Sequence, residues 1–289
     1  MSSDAFPIIL CLISAITVAA TNMFVKRGGD VLSTRMIVSI AMMLSVLPFV
    51  PFVPFPTPAI WGALMISVVV HWFYQFAMIR ALHRGDLSLV FPVMRGLAPL
   101  LTAVMATVFL NETPGLLGWL GLIIATGALI VFAMPEEKGQ AHPPIKQAAL
   151  FWAMVTALGI AAYSVADANG TRLAADTATL FTFVVWLFML DWIGITAAMF
   201  WIRRGAVWTD IAPQIRDGAI GGFLGTISYG AALWAFTLTE AANVTAIRET
   251  SVVFGAILGA VFLKEAFGKR RILAASCLAF GLMLLEFAP

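Results

Sequence analysis

About 20 consecutive apolar residues in a helix cross the hydrocarbon core of a bilayer, and this chain of 289 residues offers that length repeatedly. Cut at its charges, prolines and glycines, it yields ten candidate spans: 7–25, 34–53, 58–81, 87–110, 115–134, 147–167, 178–202, 214–236, 241–263 and 269–287. The links between them are short, and the longest polar one, PEEKGQAHPPIK at 135–146, falls at the midpoint. With 61% hydrophobic and 11% charged residues, the composition lies far from that of soluble domains. The expected fold class is therefore all-α integral membrane, with ten transmembrane helices. No lysine or arginine precedes the first apolar run, so that run reads as a retained helix rather than a cleaved leader. A net charge of +2 with scattered basic residues predicts no nucleic-acid partner. Cys11 and Cys277 both lie in apolar runs, so neither a disulfide framework nor a metal site is expected, and no cofactor is implied.

A polar break at the midpoint invites a search for an internal repeat. Phe109-Leu110-Asn111-Glu112 ends the fourth span, and Phe262-Leu263-Lys264-Glu265 ends the ninth, 153 residues later. The same offset places Arg95 on Arg248. Five spans per half mean that corresponding loops lie on opposite membrane faces, and the positive-inside rule tests this. In the first half the basic residues follow spans one and three: Lys26, Arg27, Arg35, Arg80 and Arg84. In the second half they follow spans seven and nine: Arg203, Arg204, Arg216, Lys264, Lys269, Arg270 and Arg271. With Lys138 and Lys146 in the central link, every loop cation except Arg172 shares one side. That reversal is what inverted repeats require. It predicts repeats at 1–134 and 147–289 around the linker 135–146, with both termini facing away from the cytoplasm.

The paired endings LAPLLTAVMATVFLNE (97–112) and TSVVFGAILGAVFLKE (250–265), with ATNMFVK (20–26) closing the first span, resemble the drug/metabolite transporter superfamily in its EamA-like branch. The likeness covers essentially the full chain and extends to exporters of aromatic amino acids and other metabolites. It implies a carrier working by alternating access, with a central cavity lined mainly by helices one, three, four, six, eight and nine. Members of that branch are often drawn with cytoplasmic termini, whereas the basic residues here predict the reverse.

A charge inside the hydrocarbon costs at least ~2.5 kcal/mol on insertion scales, so it must face a cavity or a partner. Arg248 lies seven residues inside its span and Arg95 eight residues inside its own, between Pro92 and Pro99. Two repeat-related guanidinium groups could bind a carboxylate or phosphate-like group; equally, each could be a structural charge bonded to helix ends, to Glu249 or to Asp191. Glu249 follows Arg248 at about 100° around the helix, so the two address different surroundings. His71, Tyr74, Gln75 and Met78 form one polar-aromatic stripe at i, i+3, i+4 and i+7, a candidate cavity lining. Its counterpart in the eighth span is Thr226, Ser228, Tyr229 and Trp234, and Tyr163 is intramembrane as well. Asn22, opposed by Ser164 in the sixth span, serves a cavity or an interhelical hydrogen bond equally well. Glu112 and Glu265 read as caps or loop partners, and Gly255 with Gly259 as a helix-packing pair.

These residues describe a secondary active or facilitative transporter of a small organic metabolite, an amino acid or another small compound with an anionic group. The substrate-contact candidates are Asn22, His71, Tyr74, Gln75, Met78, Arg95, Tyr163, Tyr229, Trp234, Arg248 and Glu249. Glu249, Asp191 and His71 are titratable within spans and could couple protons. No ATP-binding loop is present. An intramembrane enzyme is the alternative from another class, but the chain lacks H-E-x-x-H and G-x-S-x-G, and His71, His83 and His142 are dispersed. A non-transporting receptor would bind without flux. The expected surroundings are the cell inner membrane, its lipid and a small-molecule substrate, with the chain a monomer or weak homo-oligomer.

Overall fold

The computed structural model describes residues 5–82, 84, 87–133, 147–174, 176–203, 211–254, 257 and 269–286. All regular structure in them is helical. The helices are α1 (Ala5–Arg27), α2 (Val31–Val46, continued by a 3-10 segment Leu47–Phe52), α3 (Pro58–Leu82), α4 (Leu87–Gly96) and α5 (Ala98–Phe109). They continue as α6 (Leu116–Ala133), α7 (Gln147–Arg172), α8 (Thr177–Arg203), α9 (Ile215–Ala235), α10 (Ala241–Arg248) and α11 (Lys269–Glu286). Among the described residues, five stretches are long and apolar enough to cross a membrane: α1, α2 with its extension, α3, α7 and α8. The chain is thus a multi-pass membrane protein in which every predicted span contains helix, although not all ten reach spanning length as one piece. The linker 135–146, with His142, lies outside the described residues, as do His83, Gly255, Gly259 and Glu265.

The fourth and ninth spans are each interrupted just beyond their arginine, by different chemistry. In the fourth, α4 gives way to α5 at Leu97. Pro99 has no N–H to donate to the Arg95 carbonyl, so the helical ladder lapses there. In the ninth, α10 ends at Arg248, and helix resumes at Ser251 after a turn. No proline is present; the amides of Thr250 and Val252 instead donate to carbonyls three residues back, and the Thr250 hydroxyl donates to Ile247 O at 2.7 Å. The two breaks are related by the repeat, since Leu97 and Thr250 stand at the offset that relates Arg95 to Arg248.

Local signals set the other ends. Asn111, the third residue of the FLNE turn, has φ +57° and closes α5 in the left-handed conformation that asparagine tolerates. Gly29 does the same after α1 with φ +87°. Asp176 caps α8: the Thr179 amide donates to its Oδ1 at 2.8 Å, and the Thr179 hydroxyl adds a second bond. These bonds hold the exposed Asp176 carboxyl below the usual carboxylate range.

The chain folds into two compact units that cut across its sequence halves. The first comprises residues 1–72 and 166–239, the second 73–165 and 240–289. In the first, α9 lays a glycine face on α2. A Cβ on Gly222 would stand 2.4 Å from Ala41 Cβ, and one on Gly218 2.5 Å from Ile37 Cγ2. Such close approach gains dispersion contact where lipid offers no hydrophobic driving force. The Ser228 hydroxyl donates to Ser14 O at 2.8 Å and the Thr21 hydroxyl to Gly221 O at 3.1 Å, joining α1 to α9. Ion pairs Arg203–Asp30 (2.9 Å) and Arg27–Asp217 (3.3 Å) gather loops assigned above to the basic side. Arg172, the lone cation assigned to the other side, donates to Phe236 O and Thr239 O at the far end of α9.

In the second unit, α6 and α11 cross at Gly121 and Gly281. A Cβ on Gly121 would meet Gly281 O at 2.5 Å, and one on Gly281 would meet Gly121 O at 2.7 Å. Ala103 of α5 packs with Ala242 and Ala246 of α10, Leu122 and Leu285, so the fourth and ninth spans share a small-residue contact. Glu112 acts as a cap: its Oε2 accepts from the Ala241 amide at 2.9 Å, at the N-terminus of α10.

Candidate functional site

Most of the predicted site residues fall into two clusters, one in each unit. In the second unit Arg95 and Arg248 occupy the last turns of α4 and α10, where a cation complements the negative end of the helix dipole. Arg95 Nη1 lies 3.1 Å from Glu249 Oε1, and its Nη2 lies 3.4 Å from the Ser251 hydroxyl. Glu249 is only 2% exposed and also feels the charge of Arg248, itself 9% exposed. The other carboxylate oxygen, Glu249 Oε2, is buried with no hydrogen-bond partner among the described residues. One buried carboxylate thus stands among two guanidinium groups at paired helix breaks.

Two tyrosines complete this cluster. The rings of Tyr74 and Tyr163 meet edge to face with centroids 5.1 Å apart, and both lie close enough to Arg95 to interact with its charge. Tyr163, buried, is coupled to Arg248 as well. Gly159 makes room for Tyr74: a Cβ there would stand 3.1 Å from Tyr74 Cβ. Met78 joins a buried core with Val90, Met94 and Ala153, while its sulfur lies 3.5 Å from the Tyr74 hydroxyl. Gln75 is buried in the same unit.

In the first unit the centre is Asp167, fully buried in α7. Ser67 donates to its Oδ1 and Tyr229 to its Oδ2, and His71 Nε2 stands 3.0 Å from Oδ2. Tyr229 Oη is 3.1 Å from the same His71 nitrogen. On the other side of the ring, His71 Nδ1 is 3.8 Å from Asp191 Oδ1. Four helices, α3, α7, α8 and α9, therefore converge on one imidazole. The neighbouring Trp72 is held by its Nε1–H on the Asp191 carbonyl at 3.2 Å, with Gly194 leaving space for the indole.

Asp167 and Ser67 escape a reading of the sequence. Asp167 sits where the sixth apolar run was expected to end, so its charge looked like a boundary; its hydrogen bonds let α7 continue to Arg172. Ser251 is missed for want of any local signal. The stripe on α3 is also divided, with His71 in the first unit and Tyr74, Gln75 and Met78 in the second. Asp191 faces a histidine, a partner that spacing could not identify.

Other candidates stand apart from both clusters. Asn22 Oδ1 accepts from Arg35 Nη2 at 3.3 Å, a bond between α1 and α2. Trp234 is 46% exposed and lies edge-on to Phe6. Ser164 and Thr226 bond back to carbonyls of their own helices, Ile160 and Gly222.

A family model described as the EamA-like transporter family matches residues 5–134 and 147–287, one match in each half of the chain. A solved structure titled "Crystal structure of protein" superposes with a TM-score of 0.72 at 14% identity, covering 96% of this chain and 95% of that one. At that identity the likeness is one of fold. Among curated proteins none matches the chain.

Proposed function

Because the chain belongs to the EamA-like transporter family, a family of membrane transporters of small solutes, we propose that it carries a small organic metabolite bearing an anionic group by alternating access. An amino acid is the solute class that best suits the second unit. The observation that carries this reading is the buried Glu249 carboxylate among Arg95 and Arg248, at two helix breaks related by the repeat. Interrupted helices are where membrane carriers place polar solutes, since backbone freed from the helical ladder needs other partners. A guanidinium presents planar donors to a carboxylate. The buried Glu249 Oε2 suits a donor on the same solute, such as an ammonium. Tyr74 and Tyr163 supply aromatic surface beside the charges.

Solute counterflow tests the reading. Proteoliposomes holding the purified full chain and preloaded with unlabelled phenylalanine are expected to accumulate labelled phenylalanine transiently, where protein-free liposomes do not. No accumulation above the liposome control counts against the proposal.

We further propose that the chain resides in the cell inner membrane with both termini away from the cytoplasm, following the loop cations. In a background with Cys11 and Cys277 replaced, a cysteine introduced at Gln140 is expected to resist a membrane-impermeant thiol reagent in intact cells and to react after permeabilisation. Ready labelling of intact cells would reverse the orientation.

A further inference from the structure

We propose that Asp167, His71 and Asp191 form a proton-binding site, and that this proton is the coupling ion of the carrier. The second half of this statement rests on the transport reading above; the first half stands on geometry alone.

The hydrogen-bond network assigns the imidazole's protons. Asp167 Oδ2 accepts the Tyr229 hydroxyl proton, so Tyr229 turns a lone pair toward His71. His71 Nε2 therefore faces two acceptors, that lone pair at 3.1 Å and the Asp167 carboxylate at 3.0 Å. Nε2 consequently carries a hydrogen. In a neutral ring Nδ1 would then present its lone pair to Asp191 Oδ1, 3.8 Å away, and lone pair would face carboxylate. A proton on Nδ1, or on Asp191, converts that repulsion into an attraction. The site thus has a built place for one more proton, on the side of the ring opposite Asp167.

Charge balance points the same way. Among the described residues, the titratable groups that meet His71 from the packed elements include Asp167 on α7, Asp191 on α8 and Tyr229 on α9. Two carboxylates against a neutral ring leave two negative charges within spanning helices, where each is costly. Uptake of one proton by the ring leaves one. A proton gained from one face of the membrane and lost to the other alters the cluster's charge by one unit each way, with no other reactant needed. Asp167 is the positioning residue: Ser67 and Tyr229 fix it, and it fixes the ring. A metal ion is a poorer occupant, because no group of three His, Cys, Asp or Glu side chains among the described residues is arranged to hold one.

The test uses the full chain labelled with 15N-histidine in detergent micelles, with the His71 signal assigned by its loss in His71→Gln. In the wild type, the His71 ring nitrogens are expected to switch from the doubly protonated to the singly protonated pattern within pH 5–9. In Asp191→Asn and Asp167→Asn the ring is expected to remain singly protonated across that range. A wild-type His71 that never changes state, or one that changes identically in both variants, overturns the site; Asp191→Asn serves alone if Asp167→Asn does not fold. For the coupling, labelled phenylalanine in proteoliposomes is followed with and without an imposed difference of one pH unit. One proton per solute predicts up to about tenfold accumulation, lost in Asp191→Asn. Exchange that ignores the pH difference overturns coupling and leaves the solute reading intact. Absence of all exchange counts against the solute reading, and the histidine titration still decides the proton site.

Discussion

Glu249→Ala is expected to lower the free energy of unfolding by about 3–5 kcal/mol, the cost of leaving a buried guanidinium without its counter-ion. The size follows from burial: Glu249 is 2% exposed, and the Arg95 side chain it pairs with at 3.1 Å is 16% exposed. Water cannot easily replace the lost carboxylate. Glu249→Gln keeps the shape and a hydrogen-bonding oxygen and should cost less, which separates charge from packing. Thermal unfolding in detergent, followed by tryptophan fluorescence, measures both. A Glu249→Ala protein that melts with the wild type would mean that the ion pair is solvated, and that the cluster is not the enclosed site described here.

Gly222→Leu is expected to yield no folded protein. The ideal Cβ at this position already lies 2.4 Å from Ala41 Cβ and 2.7 Å from Val38 O, so a leucine must drive α9 away from α2. Gly222→Ala meets the same atoms with a single methyl and should cost about 1–3 kcal/mol. Gly230, on the same helix, has no atom within 4 Å of its would-be Cβ. Gly230→Ala should therefore leave the melting temperature unchanged or slightly raised, since alanine is the better helix former. Size-exclusion profiles of the three variants distinguish a packing face from a general intolerance of substitution in α9.

What the sequence exposed and what it hid have physical causes. Apolar length is a local property, so the helical character of the spans was readable, as was the correspondence of Arg95 with Arg248 through a fixed offset. The break after Arg95 lies within a stretch read as the single span 87–110, although Pro99 is its visible cause. The matching break after Arg248 has no such visible cause, because it is made by i, i+3 bonds and a threonine hydroxyl that leave no distinctive composition. Asp167 was hidden by its position at the edge of an apolar run and by partners on distant helices. Trp234 joined a cavity stripe by periodicity, and it stands exposed beside Phe6, outside both clusters. Periodicity identifies a face; only packing says what that face meets. The compact units cut across the repeats for the same reason, since pairs such as α1 with α9 and α6 with α11 join residues far apart in sequence.

The central claim is that the charges at the paired breaks hold the anionic group of a transported solute. Counterflow of labelled phenylalanine, challenged with excess unlabelled phenylalanine or excess phenylalaninamide, tests it most directly, because the amide keeps the ring and the amine but has no carboxylate. The account predicts that phenylalanine competes, that the amide fails to, and that Arg248→Ala abolishes flux while the protein stays folded. Equal competition by the amide, or undiminished flux in Arg248→Ala, would contradict it.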